Sequence, residues 1–352
     1  MKRSAAAAAA VCAAFMLAGC NDITSAAPAE TTAVSEASQT AAAVTEAQDT
    51  NYPVFAGSLE FTQAPRSIVS LSPAVTEMLY AVGGDKRLVA VGKYCDHPSK
   101  ATELPQAGSP ANPDISTIIA MSPELLISES PIAKKDMTDL SDAGIRVLVL
   151  SSPETVTALE GEYRMLSALV SGNDTASDAA SAAMKEYYDA VGDISSSAGT
   201  FLLVMDDNYS VATGDTLAGS VMSAFGDNAA LAYTNYSMPE EDIFSSDPDT
   251  VFLSSDVDPA LFREDFAELG AVRNGRIIII DTTMFERPTA RLSGLVREVD
   301  EKLKDIPEET EAPTETNAPT ETNATEDTEA FGTDAGEDGG YITETVTAAD
   351  AE

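Results

Sequence analysis

Apolar residues recur along this chain in two alternating rhythms. Short continuous runs predict buried strands at Arg66–Leu71, Leu88–Val91, Pro123–Ile127, Ile145–Leu150, Phe201–Met205, Thr250–Leu253 and Arg276–Asp281, with a further short strand at Leu59–Thr62. Helical spacing fills the intervals. Pro73–Tyr80 opens on a proline suited to a first turn, places Val75, Met78, Leu79 and Val82 on one face, and ends at Gly83-Gly84. Helices are also predicted over Ile115–Met121, Lys134–Ala143, Leu217–Phe225, Glu241–Phe244, Pro259–Leu269 and Leu292–Leu303. Between the two halves, Glu154–Val191 is helical throughout, with Gly172-Asn173 kinking or dividing it.

Strand and helix in alternation predict parallel α/β sheets. The halves share a rhythm: Ile119-Ala-Met-Ser-Pro-Glu-Leu-Leu-Ile in the first matches Phe244-Ser-Ser-Asp-Pro-Asp-Thr-Val-Phe in the second. The expected fold is therefore α/β, two Rossmann-like lobes (52–152 and 195–306) with a connecting helical region (153–194) and a ligand cleft between the lobes.

The ends follow different rules. Lys2 and Arg3 precede an apolar stretch from Ala5 to Leu17, too short to span a bilayer comfortably, and Leu17-Ala18-Gly19-Cys20 follows. Those four residues resemble the lipobox of bacterial lipoproteins. The resemblance implies a signal peptide over 1–19 and a lipidated Cys20 that holds the chain to a membrane. Residues 20–51, rich in Ala, Thr, Ser and Glu, read as a disordered tether. Residues 307–352 read as a disordered acidic tail. From Glu308 onward they contain no Lys, Arg or His, and they repeat Ala312-Pro-Thr-Glu-Thr-Asn317 as Ala318-Pro-Thr-Glu-Thr-Asn323.

Composition narrows the function. The net charge of −38 argues against nucleic acid, whose phosphates such a chain repels. With Cys12 in the signal and Cys20 lipidated, Cys95 has no disulfide partner. One histidine leaves little scope for a hydrolytic triad, and no Gly-x-Ser-x-Gly elbow or phosphate-cradling Gly-Lys loop is present. Asp256-Val-Asp258 lacks the glycine of an EF-hand loop. The expectation is a binding protein, not an enzyme, with no resident cofactor.

Four stretches carry a family resemblance: Ala64–Glu77, Val91–Pro98, Ile115–Ile127 and Phe285–Leu292. From Pro65 to about Leu303 the chain resembles the periplasmic-type binding proteins for cobalamin, haem and iron-siderophores, and among these most resembles the cobalamin binders. The resemblance implies two lobes joined by a single long helix, little motion on binding, and delivery of cargo to an ABC permease and its ATPase. The cargo would be cobalamin, haem or a ferric siderophore, so cobalt or iron would arrive within the ligand. A surface haem-binding module without a transporter is the competing role.

Candidate contacts lie in the same stretches. Ser72 and Pro73 open a helix whose N-terminus suits an anion, although Ser72 serves equally as an ordinary cap. Tyr94 is placed to stack on a macrocycle or to pack a lobe. Asp96 offers hydrogen bonds, and His97 either hydrogen bonds or axial ligation. Phe285, Glu286, Arg287 and Arg291 follow the last predicted strand, on the side where α/β sheets bind ligands, and Tyr209 lies close to Val211, where relatives carry Phe. Permease docking in the family uses one acid per lobe. Glu241 matches in the second lobe, whereas Ser116 stands at the first-lobe position, with Asp114 or Glu124 as substitutes. Pro110 and Glu129 stand where cobalamin binders often carry aromatics, and the chain has no Trp.

Overall fold

The computed structural model describes residues 51–306; the expectations for the signal peptide, Cys20, the tether up to residue 50 and the acidic tail lie outside them. The first lobe begins with a hairpin, β1 (Val54–Ala56) and β2 (Leu59–Phe61), and continues with β3 (Ile68–Ser70), α1 (Pro73–Ala81), β4 (Leu88–Val91), β5 (Gly108–Ser109), β6 (Asn112–Pro113), α2 (Ile115–Met121), β7 (Leu125–Ser128), α3 (Lys134–Asp142) and β8 (Arg146–Val149). The connector comprises α4 (Val156–Ser171) and α5 (Asn173–Gly192). The second lobe contains β9 (Gly199–Val204), α6 (Leu217–Met222), β10 (Gly226–Asn228), α7 (Glu240–Ser246), β11 (Thr250–Ser254), α8 (Pro259–Asp265), α9 (Gly270–Arg273), β12 (Ile277–Ile280) and α10 (Leu292–Lys304).

Each lobe has one four-stranded parallel sheet, ordered β4-β3-β7-β8 in the first and β10-β9-β11-β12 in the second. Both orders read second-first-third-fourth along the chain. Each sheet therefore has a switch point beside its first strand, where α/β folds bind ligands. The central strands are buried on both faces, as their unbroken apolar runs require.

The connector is where the structure departs from the single long helix implied by the resemblance. Gly172 adopts φ +86°, and a Cβ there would come within 2.5 Å of the Asn51 Cβ. The helix ends at this point and the chain reverses. Tyr188 of α5 donates to Glu160 of α4 at 2.6 Å, so the two helices run antiparallel. At its start α4 meets the second lobe, where the Val156 amide donates to Ser220 Oγ (3.1 Å). At its end α4 meets the first, where Arg87 donates to the Val170 carbonyl (2.9 Å). The hairpin thus crosses both lobes. One continuous apolar core runs from Met78 and Ile127 through Leu159, Leu166 and Met184 to Phe201, Phe252 and Val296. About 25 cal/mol per Å² of apolar surface removed from water makes that shared core the main restraint on lobe movement.

Candidate functional site

The loops that follow β4 and β12 meet, and α4 of the connector touches the second of them through Tyr163. Arg287, in the loop after β12, donates to Asp96, in the loop after β4, at 3.0 Å. Arg291 reaches Glu77 of α1 at 3.4 Å. In the first pair both side chains are largely exposed, so the contact is worth little by itself and is readily exchanged for a ligand contact. A cavity of about 470 Å³ is walled by Ser151–Glu154 of the crossover and by Asp215–Leu217, Asn235, Tyr236 and Phe285 of the second lobe. Ser151–Glu154 also wall a second cavity of about 560 Å³, against Ala158, Gly161, Glu162 and Met165 of α4. Both volumes fall in the range of small-molecule pockets.

On the first-lobe side, the turn from β3 into α1 is a fully buried polar knot. Ser72 Oγ accepts from the Val75 amide (3.2 Å) as a helix cap. Thr76 Oγ1 donates to the Ser72 carbonyl (2.7 Å) and lies 3.2 Å from Cys95 Sγ. Ser72 also donates to the Glu129 carboxylate, just beyond β7. The anion at this helix N-terminus is therefore one of the protein's own side chains. Burial pushes the Glu129 carboxyl up, and the Ser72 hydroxyl opposes that.

Glu162 stands on α4 nearby. It is 9% exposed and one of its carboxyl oxygens has no partner. Burial, and then the charge of Glu129, raise its pKa to about 8. Its neighbour Tyr163 accepts the Ala290 amide at 3.0 Å, which ties the connector to the loop before α10.

The remaining candidates divide between groove and elsewhere. Phe285 is half-buried and lines the groove, and Glu286 is exposed beside it. Tyr94 is 53% exposed, with the Lys93 ammonium 4.5 Å from its ring centroid. Its loop starts at Gly92, where a Cβ would lie 2.3 Å from the Leu71 carbonyl oxygen, so β3 and β4 can close together only over glycine. Asp96 and His97 are exposed in that loop, whereas Cys95 is buried, and burial pushes its thiol up. Among the described residues no group of three His, Cys, Asp or Glu could hold a metal ion. Pro73 is half-buried at the start of α1. Tyr209 is half-buried against the edge of the second-lobe core, edge-on to Phe262 and Phe266, with its hydroxyl bonded to Asp265.

Residues 68–283 match the periplasmic binding protein family. The chain belongs to that family. A relative from Bacillus subtilis, described as an uncharacterized ABC transporter substrate-binding lipoprotein, YvrC, is 26% identical over 68% of this chain and 80% of its own length. The vitamin B12-binding protein of Vibrio parahaemolyticus is 24% identical, covering 72% of this chain and 95% of its own. Among solved structures, the periplasmic haem-binding protein HutB of Vibrio cholerae aligns with a TM-score of 0.53 at 21% identity, over 68% of this chain and 98% of its own. That likeness is one of fold. The family is one of binding proteins, as the missing catalytic motifs led us to expect.

Several groove residues escaped the sequence reading. Asn235 and Tyr236 both adopt positive φ (57° and 58°), with the Asn235 amide donating to Asp215 and the Tyr236 amide to Thr213 Oγ1. The only sequence signal is an Asn-Tyr pair in a polar loop. Glu162 sits on a helix face that periodicity assigns to the core, so only its charge marks it out.

Proposed function

We propose that this chain is the extracytoplasmic substrate-binding component of an ABC importer, anchored by lipid at Cys20, which captures cobalamin or a related corrinoid and delivers it to the permease. The observation that carries this reading is the groove itself. Two sheets of identical strand order turn their switch points toward each other, and the lobes behind them share one core. Such a groove holds cargo without transforming it. The family, and the names of the chain's relatives in Bacillus and Vibrio, support the transport role and the cargo class.

Phe285, Tyr236 and Tyr94 supply the aromatic surface, and Arg287, Arg291 and Asp96 exchange their mutual contacts for cargo. Docking on the permease falls to exposed acids on α2 and α7, which occupy the same place in the two lobes. Glu241 is exposed in the first turn of α7. Asp114 caps α2, and hydrogen bonds from Thr117 and Ser116 hold its carboxyl below the usual range, so it stays charged. Titrating the protein with cyanocobalamin, haem and a ferric siderophore tests the reading. Saturable binding of cyanocobalamin in preference to the other two supports it; tighter binding of haem or siderophore overturns the cargo.

A further inference from the structure

Glu162 is costly where it stands. A carboxyl that is nine-tenths buried with an unpartnered oxygen destabilises the fold, and a leucine at that position on α4 would not. Polar groups kept at such a cost in a cavity wall mark binding sites. The cavity beside it, about 560 Å³, is otherwise lined by the apolar Leu150, Pro153, Ala158 and Met165, by small hydroxyls and, at its exposed rim, by Glu154. A mostly apolar pocket with few polar groups, one of them buried, is the usual form of a subsite that orients a ligand.

The surrounding charge defines the class of group that fits. The two arginines of the groove are already neutralised, Arg287 by Asp96 and Arg291 by Glu77. The acids Glu154 and Asp215 line the walls, and Glu129 is bound to Ser72 and adds its field to Glu162. A carboxylate entering here meets net negative charge. A primary amide meets a carboxyl that is protonated at neutral pH. It accepts the carboxyl O–H and donates an N–H to the other oxygen, which satisfies both groups.

We infer that Glu162, with the Ser72-bound Glu129 beside it, forms a subsite for neutral amide groups of the cargo, and that the groove selects an amide-bearing macrocycle over one that presents carboxylates. This rests on the chain being a macrocycle-binding protein. The test uses the full chain solubilised in detergent. Three probes are titrated: cyanocobalamin, the corrinoid obtained by hydrolysing its side-chain amides to carboxylates, and haem. The wild type binds cyanocobalamin at least about tenfold more tightly than either carboxylate-bearing probe. Glu162→Leu weakens cyanocobalamin about tenfold, the loss expected for a hydrogen-bonded pair, and Glu162→Gln, which keeps a donor and an acceptor, stays within about threefold. Melting curves establish that each variant is folded. If Glu162→Leu does not fold, the wild-type preference among the probes decides alone. Unchanged binding by folded Glu162→Leu, or a preference for the carboxylate corrinoid, removes the subsite and leaves the transport reading standing. Failure of the wild type to bind any of the three removes both.

Discussion

Asp300 illustrates how a single side chain closes a lobe. From α10 it accepts the amides of Ser195 and Ser196, both at 3.0 Å, and the Lys304 ammonium at 2.5 Å. Burial opposes its charge, but the donors from Lys304, Ser196 and Ser195 win and hold the carboxyl well below the carboxylate range. Because its folded pKa is depressed, its stabilisation is present above the unfolded value of 3.8 and is lost as pH falls further. Asp300→Asn is expected to cost about 1–3 kcal/mol at neutral pH in a denaturant titration, since two amides lose a charged acceptor. Glu162 behaves in the opposite sense. Its folded pKa lies near 8 against an ordinary carboxyl value of 4.5, so the folded state holds the extra proton and stability falls as pH rises between those values. Melting temperatures from pH 5 to 9 should decline less steeply for Glu162→Gln than for the wild type; parallel slopes would show that this carboxyl does not titrate with folding.

Strands built on unbroken apolar runs are legible in the sequence because burial on both faces leaves no other solution: β3, β7, β9 and β11 fall within or beside their predicted spans. The edge strands β4, β8 and β12 also fall within their predicted spans, but the edge strand β10 does not announce itself. Gly226-Asp227-Asn228 carries no apolar residue and becomes β10 only by pairing with β9. The β1 strand and the two-residue strands β5 and β6 are likewise products of pairing. The helix predicted over Pro259–Leu269 stops at Asp265, where the chain turns and Phe266 stacks on Phe262 and Phe244. The Pro-acid unit shared by the halves is structural. Glu124 accepts the Arg66 amide (2.8 Å) and Asp249 the Thr200 amide (2.7 Å), each pinning the entry to its lobe's first strand. The preceding helices both end on a left-handed residue, Ser122 and Asp247. In the connector, Gly172→Ala forces a Cβ against Asn51 at positive φ, and a loss of about 1–3 kcal/mol is expected by chemical denaturation. No loss would mean that the turn between α4 and α5 adapts freely.

At the scale of the whole molecule, two α/β lobes follow from the alternation of elements, and the sequence displays them well. The groove's contents are less legible, because they depend on which loops meet. Nothing in the spacing of Asp96 and Arg287, or of Glu77 and Arg291, announces that they pair. Tyr209 is drawn against the second-lobe core by Phe262 and Phe266, which lie more than fifty residues further along the chain. Docking belongs to this scale as well. Glu241→Arg should leave cargo affinity unchanged and reduce uptake at least about tenfold, with wild-type uptake itself falling as salt rises. Full uptake by the variant would dismiss α7 as a docking element. The central claim is that cargo sits between the lobes and touches both. Hydrogen–deuterium exchange with and without cyanocobalamin tests it most directly. The account predicts simultaneous protection of residues 92–97 of the first lobe and 283–291 of the second; protection confined to one lobe, or its absence at saturating ligand, would contradict it.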